Sequence, residues 1–227
     1  MKAKLLGWTL ADILWAALSV LALIPCLVYP YLATTRGVEF LTPALTGEIV
    51  AAPQCAQGKD CLKAGDVLLY FGGMDWKALK RDRLMPLDAV ADANGYVTMQ
   101  VDRQGRLLEF RSKIFGIARE DWWNETPALL LPLVLWLMGT IAIFLLRPRD
   151  ERWLLLVLFS YVTAIWFAAG QASHLHVGGS AVVFHLFVWF FLPLVIHLHL
   201  VLPSWLLGTG KRWSVLLPLY FLALILS

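Results

Sequence analysis

Long apolar stretches separated by short polar segments run through most of this 227-residue chain. Four of them cover residues 10–32, 127–146, 153–172 and 181–203, and the first is interrupted only by Asp12 near its start. A helix needs about 20 residues to cross the hydrocarbon core of a bilayer, so each stretch is long enough. The pattern therefore predicts four membrane-spanning helices.

A fifth apolar stretch begins near Trp213 and is still apolar at Leu226. At about 1.5 Å per residue it is shorter than the ~30 Å hydrocarbon core. A helix that ended inside the membrane would leave its last carbonyls without hydrogen-bond partners. We expect either a re-entrant segment or, as the preferred interpretation, a truncated fifth span in the front part of a longer protein.

Basic residues in the connecting segments predict the orientation of these helices. They precede the first stretch and lie between the second and third and between the fourth and fifth: Lys2, Lys4, Arg147, Arg149, Arg152, Lys211 and Arg212. The positive-inside rule then places the N-terminus in the cytoplasm and residues 33–126 outside it. A signal peptide is the alternative for residues 10–32. We favour an uncleaved anchor, because the stretch exceeds the roughly 7–15 apolar residues of a leader.

The charged residues are concentrated in one region of the chain. Only 15% of all residues are charged, against roughly 25% in soluble domains, and residues 36–125 hold most of them. This distribution predicts one polar domain inserted into a helical membrane protein. The formal net charge of +3, without a basic stripe, argues against a nucleic-acid partner.

The polar domain has the pattern of a small β-rich α+β fold. Residues 47–52 and 67–71 suit strands, and residues 96–101 and 107–114 suit a hairpin around a turn at "DRQG". Pro86 suits the start of a short helix over residues 86–93, which would end before Gly95. Residues 75–84 suit either a helix or a charged loop.

The run "LKAGDVLLYFGG", the following helix and the hairpin "YVTMQVDRQGRLLEF" resemble a bacterial PDZ domain over about residues 37–115. The resemblance implies that Leu62 and Val67 pack in the core and that Gly65 and Asp66 form a tight turn. It also implies that a peptide adds as a strand in a groove between residues 38–41 and the helix. The expected groove residues are Val38, Glu39, Phe40, Leu41, Leu87 and Val90.

The chain as a whole resembles the N-terminal multi-span membrane sensor region of bacterial competence-type sensor histidine kinases. The stretches "LLRPRDERWLLLVLF" and "HLHLVLP" support this, as does a PDZ-like domain between the first two spans. The resemblance implies a multi-pass protein of the bacterial inner membrane. It divides the chain into residues 1–35 (cytoplasmic N-terminus and first helix), 36–120 (outer domain) and 121–227 (remaining helices).

The function that this resemblance implies is a sensor that binds a peptide or protein segment outside the cytoplasm. The chain itself would be no enzyme, and a kinase would follow in a longer parent protein. The resemblance leaves open whether the protein forms a homodimer through that C-terminal part. The alternatives are a non-signalling membrane adaptor with a PDZ-like domain and the front part of a membrane protease.

Cys55 and Cys61 enclose a turn-rich loop and are expected to form a disulfide in an oxidising compartment, with two free thiols as the alternative. The domain offers no further Cys or His for zinc, so we predict neither a metal nor a cofactor. Cys26, inside the first stretch, is expected to be inert packing.

Five histidines occur near or within the third and fourth stretches: His174, His176, His185, His197 and His199. We interpret them as neutral groups hydrogen-bonded between helices, with a proton-sensing role as the alternative. The zinc-protease motif His-Glu-x-x-His does not occur. Ser180 suits a helix N-cap better than a nucleophile, so no catalytic residue is predicted. The cluster "KRDR", residues 80–83, is expected to be a solvated face.

Overall fold

The computed structural model of the protein describes residues 9–35, 48–49, 62–113, 122–201 and 209–227. Within these ranges six α-helices occur: α1 (Leu10–Thr35), α2 (Trp76–Arg81), α3 (Trp122–Leu145), α4 (Glu151–Ser173), α5 (Ser180–Val201) and α6 (Thr209–Leu226). The strands are β1 (Val67–Phe71), β2 (Met74–Asp75), β3 (Tyr96–Arg103) and β4 (Arg106–Lys113). Two short 3₁₀ turns cover Leu87–Val90 and Val177–Gly179.

Within the described ranges, three helical stretches are long and apolar enough to cross a membrane, by length and composition: Leu10–Thr35, Glu151–Ser173 and Val177–Val201. They match three of the predicted spans to within a few residues, so the chain is mostly helical, with three candidate membrane-spanning helices and a small antiparallel sheet. Among the described side chains of α3, the apolar stretch is Leu130–Leu145. That α3 and α6 also cross a membrane stays a prediction.

The chain forms two compact units. The helical unit comprises Met1–Pro30, Thr126–Gly170 and Val183–Ser227. The sheet unit comprises Tyr31–Glu125 together with Gln171–Val182, the segment that joins α4 to α5. The sequence pattern identified this joining segment only as a loop between two spans, whereas the structure makes it part of the sheet unit.

Small polar side chains and indole groups hold the helices of the helical unit together. The Ser19 and Thr140 hydroxyl oxygens are 2.8 Å apart, and the Trp136 indole N–H donates to the Ser19 carbonyl at 2.8 Å. The Trp153 indole N–H donates to the Ala142 carbonyl, also at 2.8 Å. In a bilayer such contacts take the place of hydrophobic association between helices.

The sheet is antiparallel with strand order β2-β1-β3-β4. Val97, Met99 and Val101 alternate along β3 and are buried, which fixes the core face of the sheet. The β3–β4 hairpin turns at Gln104 and Gly105, both with positive φ, as a two-residue hairpin loop requires. The predicted hairpin is therefore confirmed, with its turn at the second half of "DRQG".

The predicted turn at Gly65 and Asp66 is present, and Asp66 does more than turn the chain. Its carboxylate is buried and accepts two hydrogen bonds from the Arg103 guanidinium, at 2.7 and 2.8 Å. These bonds hold the pKa of Asp66 below its usual value. Leu62 is buried as expected, but Val67 is only half-buried, and Leu68 takes the core position instead.

Of the predicted strand over residues 47–52, the structure describes only Glu48 and Ile49. Glu48 forms an isolated antiparallel bridge with Val67. The Ile49 N–H donates to the Asp66 carbonyl at 2.7 Å, and the Ile49 side chain is buried. This short pairing extends the sheet unit beyond the four strands.

The predicted helix over residues 86–93 is wrong. A four-residue 3₁₀ turn, Leu87–Val90, occupies its place. Asp92 ends it, because its carboxylate accepts hydrogen bonds from the Asn94 and Tyr96 N–H groups at 2.8 and 2.9 Å. Such side-chain bonds to nearby backbone compete with helix formation. Residues 75–84 do contain a helix, α2, which the Asp75 carboxylate caps.

Candidate functional site

A cavity of about 550 Å³ lies over the face of the sheet that is opposite to the core, which we call the outer face. Residues of β1, β3, the turn after β1 and the segment after the 3₁₀ turn line it: Tyr70, Gly72, Gly73, Val90, Ala91, Asp92, Tyr96, Thr98 and Gln100. Its volume is in the usual range of small-ligand sites, about 300–1,000 Å³. We call it the outer-face pocket.

The alternation of side chains along β3 identifies the residues that form the floor of this pocket. Tyr96, Thr98 and Gln100 alternate with the buried residues of β3 and therefore share its outer face. Tyr70 of β1 pairs directly with Gln100. Tyr70 and Tyr96 remain 43% and 39% exposed, so both rings are accessible to a ligand.

The segment that forms the wall of the pocket, residues 90–92, contacts the sheet at Gly72. A Cβ atom at this position would lie 2.4 Å from Cβ of Val90, so only glycine permits the approach. The φ angle of +58° also favours glycine. The Gly72 N–H donates to the Thr98 carbonyl at 2.8 Å. Val90 therefore packs directly against backbone that is bonded to β3.

An ion pair lies at the rim of the pocket. Asp92 pairs with Arg111 of β4, whose guanidinium carbon lies 4.9 Å from the centre of the Tyr96 ring. The Tyr96 N–H and the Arg111 guanidinium keep the pKa of Asp92 below its usual value. Among the described residues that line the pocket, only Asp92 carries a formal charge.

The segment between α4 and α5 is hydrogen-bonded to residues 80–87 of the same sheet unit at three points. The Leu87 N–H donates to the Leu175 carbonyl at 3.0 Å, and the Lys80 ammonium donates to the His174 carbonyl at 2.6 Å. The His176 Nδ1 atom lies 3.2 Å from the Met85 carbonyl. We call these three contacts the loop interface.

Burial changes the ionisation of two groups in the loop interface. Lys80 is half-buried with its ammonium 5.2 Å from the centre of the Trp76 ring, and burial lowers its pKa to about 8. His176 is buried, and its burial together with the nearby Lys80 charge lowers its pKa. Lys80 thus departs from the solvated face expected of "KRDR", whereas Arg81, Asp82 and Arg83 are exposed.

The predicted groove residues have different positions in the structure. Val90 lines the outer-face pocket. Leu87 is buried in the core, and its N–H belongs to the loop interface, so its side chain is not available to a ligand. The remaining predicted site residues lie outside the described residues: Val38, Glu39, Phe40, Leu41, Cys55 and Cys61.

Sequence reasoning did not identify Tyr70, Tyr96 and Gln100 as site residues. The signal that marks Tyr96 and Gln100 is the alternation along β3, where they are exposed on the face opposite to the buried residues, and Tyr70 is brought beside Gln100 by the pairing of β1 with β3. An exposed tyrosine is common on a sheet surface, so this signal gains meaning only when the pocket is seen.

A second polar cluster joins three helices of the helical unit. The Glu151 carboxylate contacts His197 Nε2 at 3.1 Å and Arg212 Nη1 at 3.2 Å, and His197 Nδ1 lies 3.3 Å from the Tyr220 hydroxyl. His197 therefore bonds between helices, as expected. His199 instead bonds the Val195 carbonyl of its own helix at 2.8 Å.

The remaining sequence predictions about sites concern metal binding and Ser180. No group of three or more His, Cys, Asp or Glu side chains in the described ranges is arranged to hold a metal ion. The Ser180 hydroxyl is buried and donates to the Ala172 carbonyl at 2.8 Å, so it packs the start of α5 instead of capping it.

Comparison with known proteins gives no match for this chain: no family model, no curated protein and no solved structure is significantly similar to it.

Proposed function

We propose that this chain is the membrane-embedded input region of a signal-transduction protein. Its sheet unit binds a peptide or protein segment outside the cytoplasm, and its helices carry the resulting change inward. One observation carries this proposal: residues 85–92 take part in both the loop interface and the outer-face pocket.

The two ends of this eight-residue segment have different neighbours. Met85 and Leu87 bond to the segment that joins α4 and α5. Val90 and Asp92 form one wall of the pocket. A ligand that displaces the wall therefore acts on a short segment whose other end holds the α4–α5 connection. Only a ligand that binds two arrangements of this segment with different affinity can transmit a signal.

The identity of the ligand as a peptide rests on the resemblance to PDZ domains. In that interpretation a peptide adds beside residues 38–41 and places one side chain in the outer-face pocket. The resemblance to competence-type sensor histidine kinases makes a kinase the output domain of a longer parent protein. That resemblance also implies a bacterial inner membrane, and the positive-inside rule predicts that residues 33–126 lie outside the cytoplasm.

The helical unit offers a physical route for such a signal. The first turn of α4 carries Glu151, which holds His197 of α5 and Arg212 of α6. The C-terminal end of the same helix leads into the loop interface. A change at the loop interface therefore acts on α4, whose N-terminal end pairs with α5 and α6.

The test combines a peptide screen with amide hydrogen exchange on the full chain in lipid nanodiscs. A labelled peptide library identifies a binding sequence, and exchange is then measured over residues 172–182 with and without it. We expect the peptide to change the exchange of the Leu175 and His176 amides by about threefold or more. In a Lys80→Met, His176→Gly double variant the peptide should still bind, but this response should disappear.

Lys77→Met is the matched control, because Lys77 is exposed on the same helix as Lys80 and lies outside the interface. It should keep the response of the wild-type chain. A peptide that binds without any response over residues 172–182 would overturn the input-region proposal in favour of a binding module. Failure of every peptide class to bind would overturn the peptide version.

A further inference from the structure

We infer that the outer-face pocket takes an uncharged aromatic side chain, and that the Asp92–Arg111 ion pair makes it select against charged ones. This inference rests on the proposed function, because it names the class of residue that the peptide presents. The cavity of about 550 Å³ has room for a large side chain with its flanking backbone.

The charge of Asp92 at the rim of the pocket is already neutralised by the protein. Asp92 Oδ1 accepts hydrogen bonds from the Asn94 and Tyr96 N–H groups, and Oδ2 pairs with Arg111. Among the described lining residues, a cationic or anionic ligand group would find no free counter-charge to offset the hydration that it loses on entry.

Neutral groups dominate the remaining surface. Tyr70 and Tyr96 offer exposed rings, and Val90 adds an apolar wall. Thr98 and Gln100 contribute a hydroxyl and an amide from the floor. Apolar walls with a few fixed polar groups suit a ligand that has an apolar body and a hydrogen-bonding edge, as tyrosine has.

The Arg111 side chain already occupies part of this surface. Its guanidinium lies over Tyr96 and pairs with Asp92, in the position where a cationic ligand group would otherwise bind. Removing Arg111 should therefore change which ligands the pocket accepts. A side chain with a purely structural role would change stability but not the preference for ligand charge.

Saturation-transfer NMR on the full chain in detergent tests this with three probes: N-acetyl-L-tyrosinamide, N-acetyl-L-lysinamide and N-acetyl-L-glutamic acid α-amide. We expect the tyrosine probe to bind with a Kd on the order of 1 mM, as suits a ligand of its size. The two charged probes should bind at least about tenfold more weakly.

Two variants locate the binding and its selectivity. Gln100→Trp fills the pocket and should abolish binding of the tyrosine probe, whereas Leu107→Trp, at an exposed position of the neighbouring strand, should not. Arg111→Met frees Asp92 and should raise affinity for the lysine probe about tenfold. Arg106→Met on the same strand should leave all three affinities unchanged.

The outcomes separate this inference from the proposed function. Binding of a charged probe as tight as that of the tyrosine probe overturns the selectivity while leaving the input-region proposal intact. Failure of the tyrosine probe, or its equal binding to Gln100→Trp, overturns the pocket as its site. Binding of N-acetylglucosamine in its place would reassign the pocket to a saccharide. The input-region proposal itself is decided by the exchange experiment.

Discussion

The helical unit and the sheet unit differ in where their polar side chains find partners. In the helical unit, Ser19 contacts Thr140, and Glu151 contacts His197. In the sheet unit, the exposed Asp92 accepts from N–H groups two and four residues further on, whereas the buried Asp66 pairs with Arg103, 37 residues away. Lipid offers no water to a polar side chain, so its partner comes from another helix or from the backbone of its own helix. Turn residues in a solvated domain bond to their own backbone.

The two units also differ in the strength of their individual polar pairs. In the described part of the sheet unit, the buried Asp66 forms a doubly hydrogen-bonded ion pair with Arg103, while Asp75, Asp82 and Asp92 form exposed turn and cap bonds. The helical unit distributes its polar pairing over several single contacts. We therefore expect one substitution to dominate in the sheet unit and smaller, graded effects in the helical unit.

The largest effect should follow Asp66→Ala. The substitution leaves the Arg103 guanidinium, whose side chain is 22% exposed, without its carboxylate partner. We expect the sheet unit to lose about 3 kcal/mol of unfolding free energy. Hydrogen exchange of the β1 and β3 amides in the full chain measures it. Asp75→Ala, which removes only the exposed cap of α2, should cost about 1 kcal/mol. Equal costs for the two variants would contradict the comparison.

The next largest effect should follow Glu151→Ala in the helical unit. It removes the acceptor shared by His197 and Arg212, whose side chains are only 7% and 4% exposed. We expect a loss of about 2 kcal/mol, measured as thermal unfolding in detergent. Glu151→Gln keeps an acceptor and should cost less. A Gln variant as unstable as the Ala variant would show that charge, and not hydrogen bonding, holds the cluster.

A rise in pH should also change stability, at the loop interface. Lys80 has a pKa of about 8 in the folded chain against an ordinary value of 10.5. Between these values the unfolded chain binds the proton and the folded chain does not, so stability of the sheet unit should increase from pH 8 to 10.5. Exchange of the Leu87 amide across this range measures it. Lys80→Met should remove the increase and Lys77→Met should retain it; an increase unaltered in Lys80→Met would assign it to another group.

The smallest effect should follow Ser19→Ala. The hydroxyl contact with Thr140 is an interhelical bond of the kind that contributes about 0.6 kcal/mol in membrane proteins. Unfolding of the full chain in detergent should show a loss of that size. Ser160→Ala is the control, because the Ser160 hydroxyl bonds the Leu156 carbonyl of its own helix. The same loss in both variants would mean that interhelical pairing adds nothing.

Features that depend on nearby residues could be predicted from the sequence. The apolar stretches matched three long helices, and the turn at Gln104 and Gly105 followed from local residue types. The helix over residues 86–93 was predicted wrongly: only a 3₁₀ turn forms, and the Asp92 carboxylate bonds the Asn94 and Tyr96 N–H groups in a turn that leads into β3. In that segment Pro86 and Gly95 favoured a helix, whereas Asp92 favoured a turn. The pattern alone did not decide between the two structures.

The candidate site could be predicted only in part, because it depends on contacts distant in the chain. Val90 was expected in a groove and lines the pocket. The loop interface was not foreseen, since Lys80 and His174 are 94 residues apart and neither carries a motif. Tyr70 and Gln100 meet only through the pairing of β1 with β3. Strand pairing of this kind is set by the tertiary fold and not by residue type.

The close approach of Gly72 to Val90 has a consequence for how this protein evolves. Substitution at position 72 would push the pocket wall off the sheet, so selection should hold that glycine whatever the ligand. Positions 70, 98 and 100 carry no such backbone constraint and are free to drift as ligands change. Among orthologues, an invariant Gly72 together with variation at positions 70, 98 and 100 would indicate that the ligand specificity changes while the fold stays the same.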